Sequence, residues 1–290
     1  MTSGKQVVYQ GEPGAFSEEA VIGFFGEARE RAAVPTWRAV FEAVADGTAG
    51  RGVIAIESSL AGTIRETYDL LAEFYDREIR IVGEVTVPVR LALLALPGQS
   101  LDWIERVYSH AQALVQADAF LRSREWQVMT TYNTAGAARM IAERRERRAA
   151  AVASPRVAGL YGLEILADDI QAGEENRTRF AVLARLGATP DGLRDAAGPD
   201  PDGPRRTTLV FAVRNVPGSL HRCLGAFAAR GVNLSSLESR PARRTRWEYV
   251  FWVDVDAAVD DPACAAALDD LRAETEMVRV LGSYPRARED

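Results

Sequence analysis

The sequence predicts an α/β protein in two unequal parts, the second with the ferredoxin-like order βαββαβ. Three observations carry this. From the N-terminus to residue 186, short β-branched runs alternate with amphipathic stretches. Residues 187–205, GATPDGLRDAAGPDPDGPR, then lose apolar periodicity and fill with Gly, Pro and Asp, as a flexible linker does. Beyond it, over 206–286, strand and helix patterns recur in the order βαββαβ.

In chain order, Val7–Gln10 reads as a strand, and Gly11 and Gly14 give the tight turn after it. Ser17–Phe25 reads as a helix, with Ser17 able to cap it and Glu18 and Glu19 in its first turn. Trp37–Asp46 is helical, Gly52–Ile56 a buried strand, Ile64–Phe74 helical and Ile79–Val87 a strand. Arg106–Ser109 and Gln127–Thr130 read as strands, each followed by a helix, Ala111–Arg122 and Thr134–Arg145. Ala149–Ala153, Pro155–Tyr161 and Phe180–Arg185 complete the alternation as strand, helix and strand, which predicts a largely parallel sheet. In the second part, Thr207–Arg214, Val232–Ser239, Trp247–Val255 and Met277–Tyr284 read as strands, and Gly218–Arg230 and Pro262–Glu274 as helices.

Composition removes whole classes of function. The chain has 290 residues, 47% of them hydrophobic, enough for real cores. A net charge of −6 is a poor match to the phosphate backbone, so no nucleic-acid partner is expected. No apolar run approaches the roughly 20 residues that span a bilayer, so no membrane partner is expected either. Met1–Gln6 contains no apolar signal segment, and cytoplasmic residence is the expectation. Lys5 is the only lysine among 35 basic residues and sits beside the terminus, a poor place for Schiff-base chemistry. Cys223 and Cys264 read as small buried apolar residues. His110 and His221 are too few and too scattered for a histidine metal site. The chemistry must therefore run on carboxylates, hydroxyls, amides, guanidiniums and backbone dipoles.

Polar residues gather where strands meet helices, the place where α/β sheets bind ligands. Around Gly14 and Phe16, free N–H groups at a helix start could hold a carboxylate. The strand Gly52–Ile56 ends on Glu57, Ser58 and Ser59. Ser109, His110 and Gln112 cluster at a second junction; their adjacency does not establish a Ser–His hydrogen bond, and no Gly-x-Ser-x-Gly elbow is present. Asn133, Thr134 and Ala135 open a helix at a third. Thr178, Arg179 and Phe180 begin the last strand, where Arg179 offers a fork for a carboxylate and Thr178 a hydroxyl that can donate.

In order and spacing, Tyr9–Ser17, Gly52–Leu71, Tyr108–Leu121, Asn133–Ala138, Ala151–Leu166 and Thr178–Phe180 resemble the motifs of prephenate dehydratases. Pro217-Gly218-Ser219-Leu220 and Glu238-Ser239-Arg240-Pro241 resemble the two phenylalanine-site motifs of that family's ACT domain. The resemblance implies a catalytic domain over 1–186 with two lobes similar to periplasmic binding proteins, roughly 1–83 plus 178–186 and 84–177. It implies a cleft between them that converts prephenate to phenylpyruvate, water and carbon dioxide without metal or organic cofactor. Thr178 would be the residue most tied to catalysis, with Glu57 and Gln112 beside it. By the same resemblance, ACT domains pair through their sheets into a dimer or tetramer and hold L-phenylalanine at the interface, with Asn233 and Leu234 joining the two motifs there.

Four positions differ from the family pattern. Ser58 stands where asparagine is usual, Ala111 where proline is usual, Arg177 precedes the threonine, and Val89–Leu94 lacks the usual histidine. Asn133-Thr134-Ala135-Gly136 is closer to arogenate-using relatives. Arogenate is therefore the competing substrate, and a non-catalytic small-molecule-binding protein the competing class.

Overall fold

The computed structural model describes residues 6–173, 175–187, 200, 202–241 and 249–287. Most of the expected linker, and the start of the strand expected from Trp247, lie outside the described residues.

Two α/β lobes and a third, antiparallel sheet make up the chain. The first lobe holds β1 (Val7–Gln10), α1 (Phe16–Phe25), β2 (Arg31–Val34), α2 (Trp37–Ala45), β3 (Arg51–Ser58), β4 (Gly62–Thr63), α3 (Arg65–Glu73) and β5 (Ile79–Pro88). The second holds β6 (Ala92–Ala95), β7 (Arg106–His110), α4 (Ala111–Gln116), α5 (Asp118–Leu121), β8 (Gln127–Thr131), α6 (Thr134–Arg144), β9 (Ala149–Ala153), α7 (Arg156–Tyr161) and β10 (Glu164–Ala167). The chain then returns to the first lobe as β11 (Arg177–Arg185). The last part comprises β12 (Arg205–Val213), α8 (Ser219–Ala228), β13 (Leu234–Pro241), β14 (Tyr249–Val255), α9 (Pro262–Glu274) and β15 (Thr275–Pro285).

The first sheet runs β2-β1-β3-β11-β5 and the second β10-β6-β9-β7-β8. A largely parallel sheet was the sequence expectation, but both sheets are mixed. β1 runs parallel to β2 and β3, and β7 parallel to β8 and β9, whereas β11 is antiparallel to both β3 and β5. The reason is the chain path: β5 follows α3 and runs parallel to β3, whereas β11 returns from the second lobe without a helical crossover and inserts between them, antiparallel to both. β5 also stays paired with β11 as far as Pro88, so the crossing lies after residue 88 and not at 84 as expected. Ala92–Ala95 and Glu164–Ala167 form the antiparallel side of the second sheet, and the sequence reading named neither as a strand. The helix expected over Ala111–Arg122 is interrupted at Ala117.

Each lobe closes its own core. Val7, Phe24, Val53 and Phe180 pack on one face of the first sheet, and Val40, Phe41, Ile54 and Leu183 on the other. Phe16 belongs to the edge of both the first-lobe and second-lobe cores, so it bridges them.

The third sheet has the order β13-β14-β12-β15 with α8 and α9 packed on one side around Phe211, Phe227 and Leu268. Its other side lies on the first lobe: Val210, Trp252, Leu281 and Tyr284 join the core of Phe41 and Ile54. Trp252 meets Tyr68 of α3 edge to face, with ring centroids 4.9 Å apart. Gly282 of β15 fits where a side chain would not, because a Cβ there would stand 2.2 Å from the Ile81 carbonyl oxygen of β5. Gly282→Ala is therefore expected to lower unfolding stability by about 1–3 kcal/mol, read as a lower urea midpoint at unchanged slope.

Candidate active site

A cavity of about 360 Å³ opens between the lobes. Its floor is the ladder of β3 and β11, where Thr178 pairs with Ser58 and Phe180 with Ala55. Thr178, Ser58 and Phe180 line it from the first lobe, with Gln112, His110, Asn133 and Thr134 facing them from the second. Phe16 completes the set from the start of α1. These eight sequence-derived positions are brought together. No hydrogen bond ties down the Thr178 hydroxyl among the described residues, which leaves it available to a ligand.

The local fold explains each placement. Asn133 caps α6, its Oδ1 accepting the Gly136 N–H. His110 caps α4, its Nδ1 accepting from the Gln112 N–H at 3.3 Å, and its side chain lines the cavity. Ser58 Oγ accepts the N–H groups of Leu60 and Ala61 at 3.4 and 3.3 Å and so shapes the turn into β4. α1 starts at Ala15 with no side-chain cap, so its first N–H groups are free to meet an anion.

Other expected site residues lie elsewhere. Glu57 and Arg179 face the opposite side of the sheet, in a separate polar crevice beneath the third sheet. Strict alternation would put Glu57 on the cavity face with Ala55. A bulge prevents this: Arg179 opposes Glu57 and Phe180 opposes Ala55, which leaves Ile56 as the extra residue. Ser109 is fully buried and its Oγ donates to the Val152 carbonyl oxygen at 2.6 Å, so it has no hydroxyl to offer and forms no dyad with His110. Ser59 Oγ donates to the Glu175 carbonyl oxygen and accepts the Arg177 N–H, both at 3.0 Å, clipping the loop rather than lining the cavity. Ala135 is buried in the second-lobe core. The Gly14 N–H donates to Glu18 Oε2 at 2.6 Å, and the residue packs near Val157 of the opposite lobe.

The sequence reading missed several lining residues: Gln10, Ser17, Trp37, Gln116 and Tyr132. Gln116 had a signal, since it stands four residues after Gln112 and therefore on the same helix face. Tyr132 had none, because its role depends on the other lobe. Its hydroxyl donates to Glu12 Oε1 at 3.0 Å across the cavity mouth, where Arg139 also meets Glu12 at 2.6 Å. Ser154 Oγ of the second lobe donates to Glu19 Oε1 at 2.5 Å, and burial raises the Glu19 carboxyl above its ordinary value.

Among the described residues the cavity lining contains no Asp, Glu, Lys or Arg. An anion there can be met by helix N-termini, amides, hydroxyls and the His110 imidazole. Among the described residues no group of three or more His, Cys, Asp or Glu is placed to hold a metal, and no helix is long and apolar enough to cross a membrane.

In the third sheet, a cavity of about 320 Å³ is lined by Gly218, Ser219, Leu220, His221, Tyr249 and Phe251 among others. Gly218 begins α8 at φ +82°, a conformation that side chains resist. Pro217 is exposed beside this cavity and does not line it. Asn233, Leu234, Glu238, Ser239, Arg240 and Pro241 do not line it either within one chain. The last five lie on β13, the edge strand, where Arg240 bonds Asp69 of α3 at 3.1 Å; Asn233, just ahead of it, donates to Asp256 at 2.8 Å.

A hydroxyl- and amide-lined cleft between α/β lobes, backed by a ferredoxin-like sheet with its own pocket, defines a two-lobed α/β protein with an attached ferredoxin-like domain. The family model for prephenate dehydratase matches residues 7–187, and that for the ACT domain 207–273. The chain belongs to the prephenate dehydratase family and carries a C-terminal ACT domain.

A bifunctional chorismate mutase/prephenate dehydratase of Aquifex aeolicus (strain VF5) is 35% identical over 97% of this chain and 74% of its own length. Arogenate dehydratase 1 of Petunia hybrida is 40% identical over 97% of this chain and 66% of its own length. Among solved structures, prephenate dehydratase from Arthrobacter aurescens in complex with L-Phe superposes with a TM-score of 0.84 at 31% identity, covering 97% of this chain and 90% of that one. GqqA, described as a novel type of quorum quenching acylase, also gives 0.84, at 34% identity over 97% of this chain and 98% of that one.

Ser109→Ala separates packing from substrate contact. It is expected to cost about 1–3 kcal/mol in stability, because the Val152 carbonyl loses its buried donor, while KM for the substrate stays within about twofold.

Proposed function

We propose that this chain is a prephenate dehydratase inhibited by phenylalanine through its ACT domain. The carrying observation is the Thr178 hydroxyl, without a hydrogen-bond partner among the described residues, on the floor of a cleft whose walls present Gln112, Asn133 and the uncapped start of α1. Prephenate is a cyclohexadiene bearing two carboxylates and a ring hydroxyl. Loss of the ring carboxylate as carbon dioxide sends its electron pair into the ring, the ring becomes aromatic, and the hydroxyl departs. Thr178 donates a hydrogen bond and a proton to the departing oxygen, which leaves as water, and solvent restores the threonine proton.

Such positioned acid help contributes about 10² to 10⁴ in rate. Aromatisation supplies the driving force. The first-turn N–H groups of α1 and α6 receive the carboxylates, in place of the arginine that the sequence suggested. Gln112 and Gln116 bring amides that pair with the hydroxyl or the pyruvyl group.

The neutral lining also bears on the choice between substrates. Arogenate carries an ammonium group where prephenate carries a keto group, and a buried ammonium calls for a carboxylate partner. Among the described residues no carboxylate lines the cleft, which favours the keto acid. The departure at Ser58 does not alter this, since it exchanges one neutral polar group for another.

In the ACT domain, the pocket beside Gly218 fits an amino acid, whose carboxylate would meet the N-terminal turn of α8. Asn233, Leu234 and Glu238–Pro241 would complete that site only from the edge strand of a second copy, which is the reading in which the protein works as a dimer or larger assembly. Inhibition then requires the ligand to favour one global state over another.

Two measurements test this reading. Thr178→Ala is expected to lower kcat for phenylpyruvate formation, read by absorbance in alkali, by about 10² to 10⁴ with Thr178→Ser recovering most of it; undiminished turnover by the alanine variant, or higher kcat/KM with arogenate than with prephenate, contradicts the assignment. Gly218→Val is expected to abolish the heat of phenylalanine binding in titration calorimetry, because valine resists φ +82° at the pocket wall; equal heats place the ligand elsewhere.

A further inference from the structure

Thr178 and Arg179 are consecutive on β11 and look out of opposite faces of the sheet. Behind the cleft, the Arg179 guanidinium meets three carboxylates from three strands. Its Nε and Nη2 donate to Glu57 Oε2 of β3 at 3.1 and 2.8 Å, its Nη1 to Glu84 Oε2 of β5 at 3.1 Å, and its Nη2 to Asp254 Oδ2 of the ACT strand β14 at 2.7 Å. Asp254 is itself held: its Oδ1 accepts from the Thr208 hydroxyl at 2.6 Å, and that hydroxyl shares a 2.7 Å bond with Tyr284. Glu84 is held by Arg206 of β12 at 2.9 Å. Asp254 is 3% and Glu84 1% exposed, so neither charge has water to fall back on.

We infer that Asp254, from the ACT sheet, is a positioning residue for the dehydratase reaction, acting through Arg179 on the seating of Thr178 and Ser58. Glu57 and Arg179 oppose one another in the β3–β11 ladder, and the next pair along it is Ser58 with Thr178, the polar floor of the cleft. One guanidinium thus ties β3, β5 and β11 to each other and to the ACT sheet, one residue away from the reacting hydroxyl. A bulge sits in the same ladder between these pairs and Phe180, where regular pairing is already interrupted and the strands have least intrinsic hold on register. Of the other ACT ion pairs, Arg206 reaches the cluster only through Glu84, while Arg240 bonds Asp69 on α3 and Arg279 bonds Asp76 beyond its end. Burial works against the Arg179 charge, and the Coulombic pull of Asp254 leads the opposing set that leaves its pKa raised overall.

The inference rests on the dehydratase reading, and the test keeps the two apart. In the full chain, Asp254→Asn keeps shape and removes charge. It is expected to lower kcat about ten- to a hundredfold, as misplacement of a reacting group does, with KM within about threefold. Added to Arg179→Lys, it is expected to lower kcat no further than Arg179→Lys alone, the signature of one residue acting through the other. Amide hydrogen exchange over residues 177–182 is expected to rise about tenfold in the variant. Arg222→Gln, which breaks a surface pair with Glu274 inside the ACT domain, is the control and leaves all three readings unchanged.

Wild-type kcat with wild-type exchange in Asp254→Asn, or fully additive losses in the double variant, would overturn the inference. Were the unaltered protein inactive on prephenate, the dehydratase reading would fail, and the exchange measurement would still decide whether Asp254 holds the strand. Should Asp254→Asn not fold, Thr208→Val removes only the hydroxyl that holds Asp254 Oδ1 and reads the same coupling at smaller amplitude, absence of any effect again counting against it.

Discussion

At the centre of the molecule a single arginine side chain, Arg179, is clasped by the part-exposed Glu57 and by the buried Glu84 and Asp254. Charges in such a place are expensive unless each is paired and hydrogen-bonded, and here each is. What this cluster fixes is less the total stability than a geometry. Three strands from two folding units must meet at one point for the charges to balance, so the ACT sheet cannot slide over the catalytic lobe without exposing an unpaired ion. Gly282 against Ile81, and Trp252 against Tyr68, fill the remaining contact with close packing that tolerates no other register.

The bulge in β3 is what makes this arrangement compatible with a cleft on the other face. With regular pairing, Glu57 would have stood beside Thr178 in the cavity, and a carboxylate there would have repelled an anionic substrate. The extra residue, Ile56, turns Glu57 to the back and leaves Ser58 in front. The same sheet thereby carries dense charge behind the cleft, while the described residues that line the cleft include no Asp, Glu, Lys or Arg. A neutral front face suits a substrate whose own charge changes in the reaction, because helix N-termini offer partial positive charge that falls off within a turn and holds product less firmly than a paired guanidinium would.

Much of this architecture was legible in the sequence. Alternation gave an α/β first part, the family resemblance its division into two lobes, and the glycine- and proline-rich stretch its separation from βαββαβ; strand-to-helix junctions and the start of the last strand supplied eight cavity residues, because junctions are where backbone N–H groups point outward. What escaped has physical causes. Ala92–Ala95 and Glu164–Ala167 are short and carry no alternation, so only pairing partners distant in sequence reveal them as strands. The fate of Glu57 depended on a one-residue irregularity that period-two reasoning cannot contain. Arg179 read as an anion fork because a fork it is; its partners, Glu84 and Asp254, lie on other strands and become visible only when the sheets are stacked. Ser109 looked like a site hydroxyl until the neighbouring strand brought the Val152 carbonyl within 2.6 Å of it.

The cleft itself is held by few and local ties. Phe16 lends its ring to both lobes, Glu12 takes Tyr132 and Arg139 from across the mouth, and Ser154 reaches Glu19. Except for Phe16 these are isolated polar contacts, exposed or part-buried, individually worth about 1 kcal/mol each, so the width of the cavity is set more weakly than its floor. Such an imbalance suits the chemistry. Entry of a dianion and release of carbon dioxide, water and a ring acid require the walls to part, whereas the hydroxyl that meets the departing oxygen must not drift. A rigid floor braced by the ACT sheet beneath loosely joined walls meets both demands, and it puts the regulatory domain under the one surface of the cleft whose position governs rate.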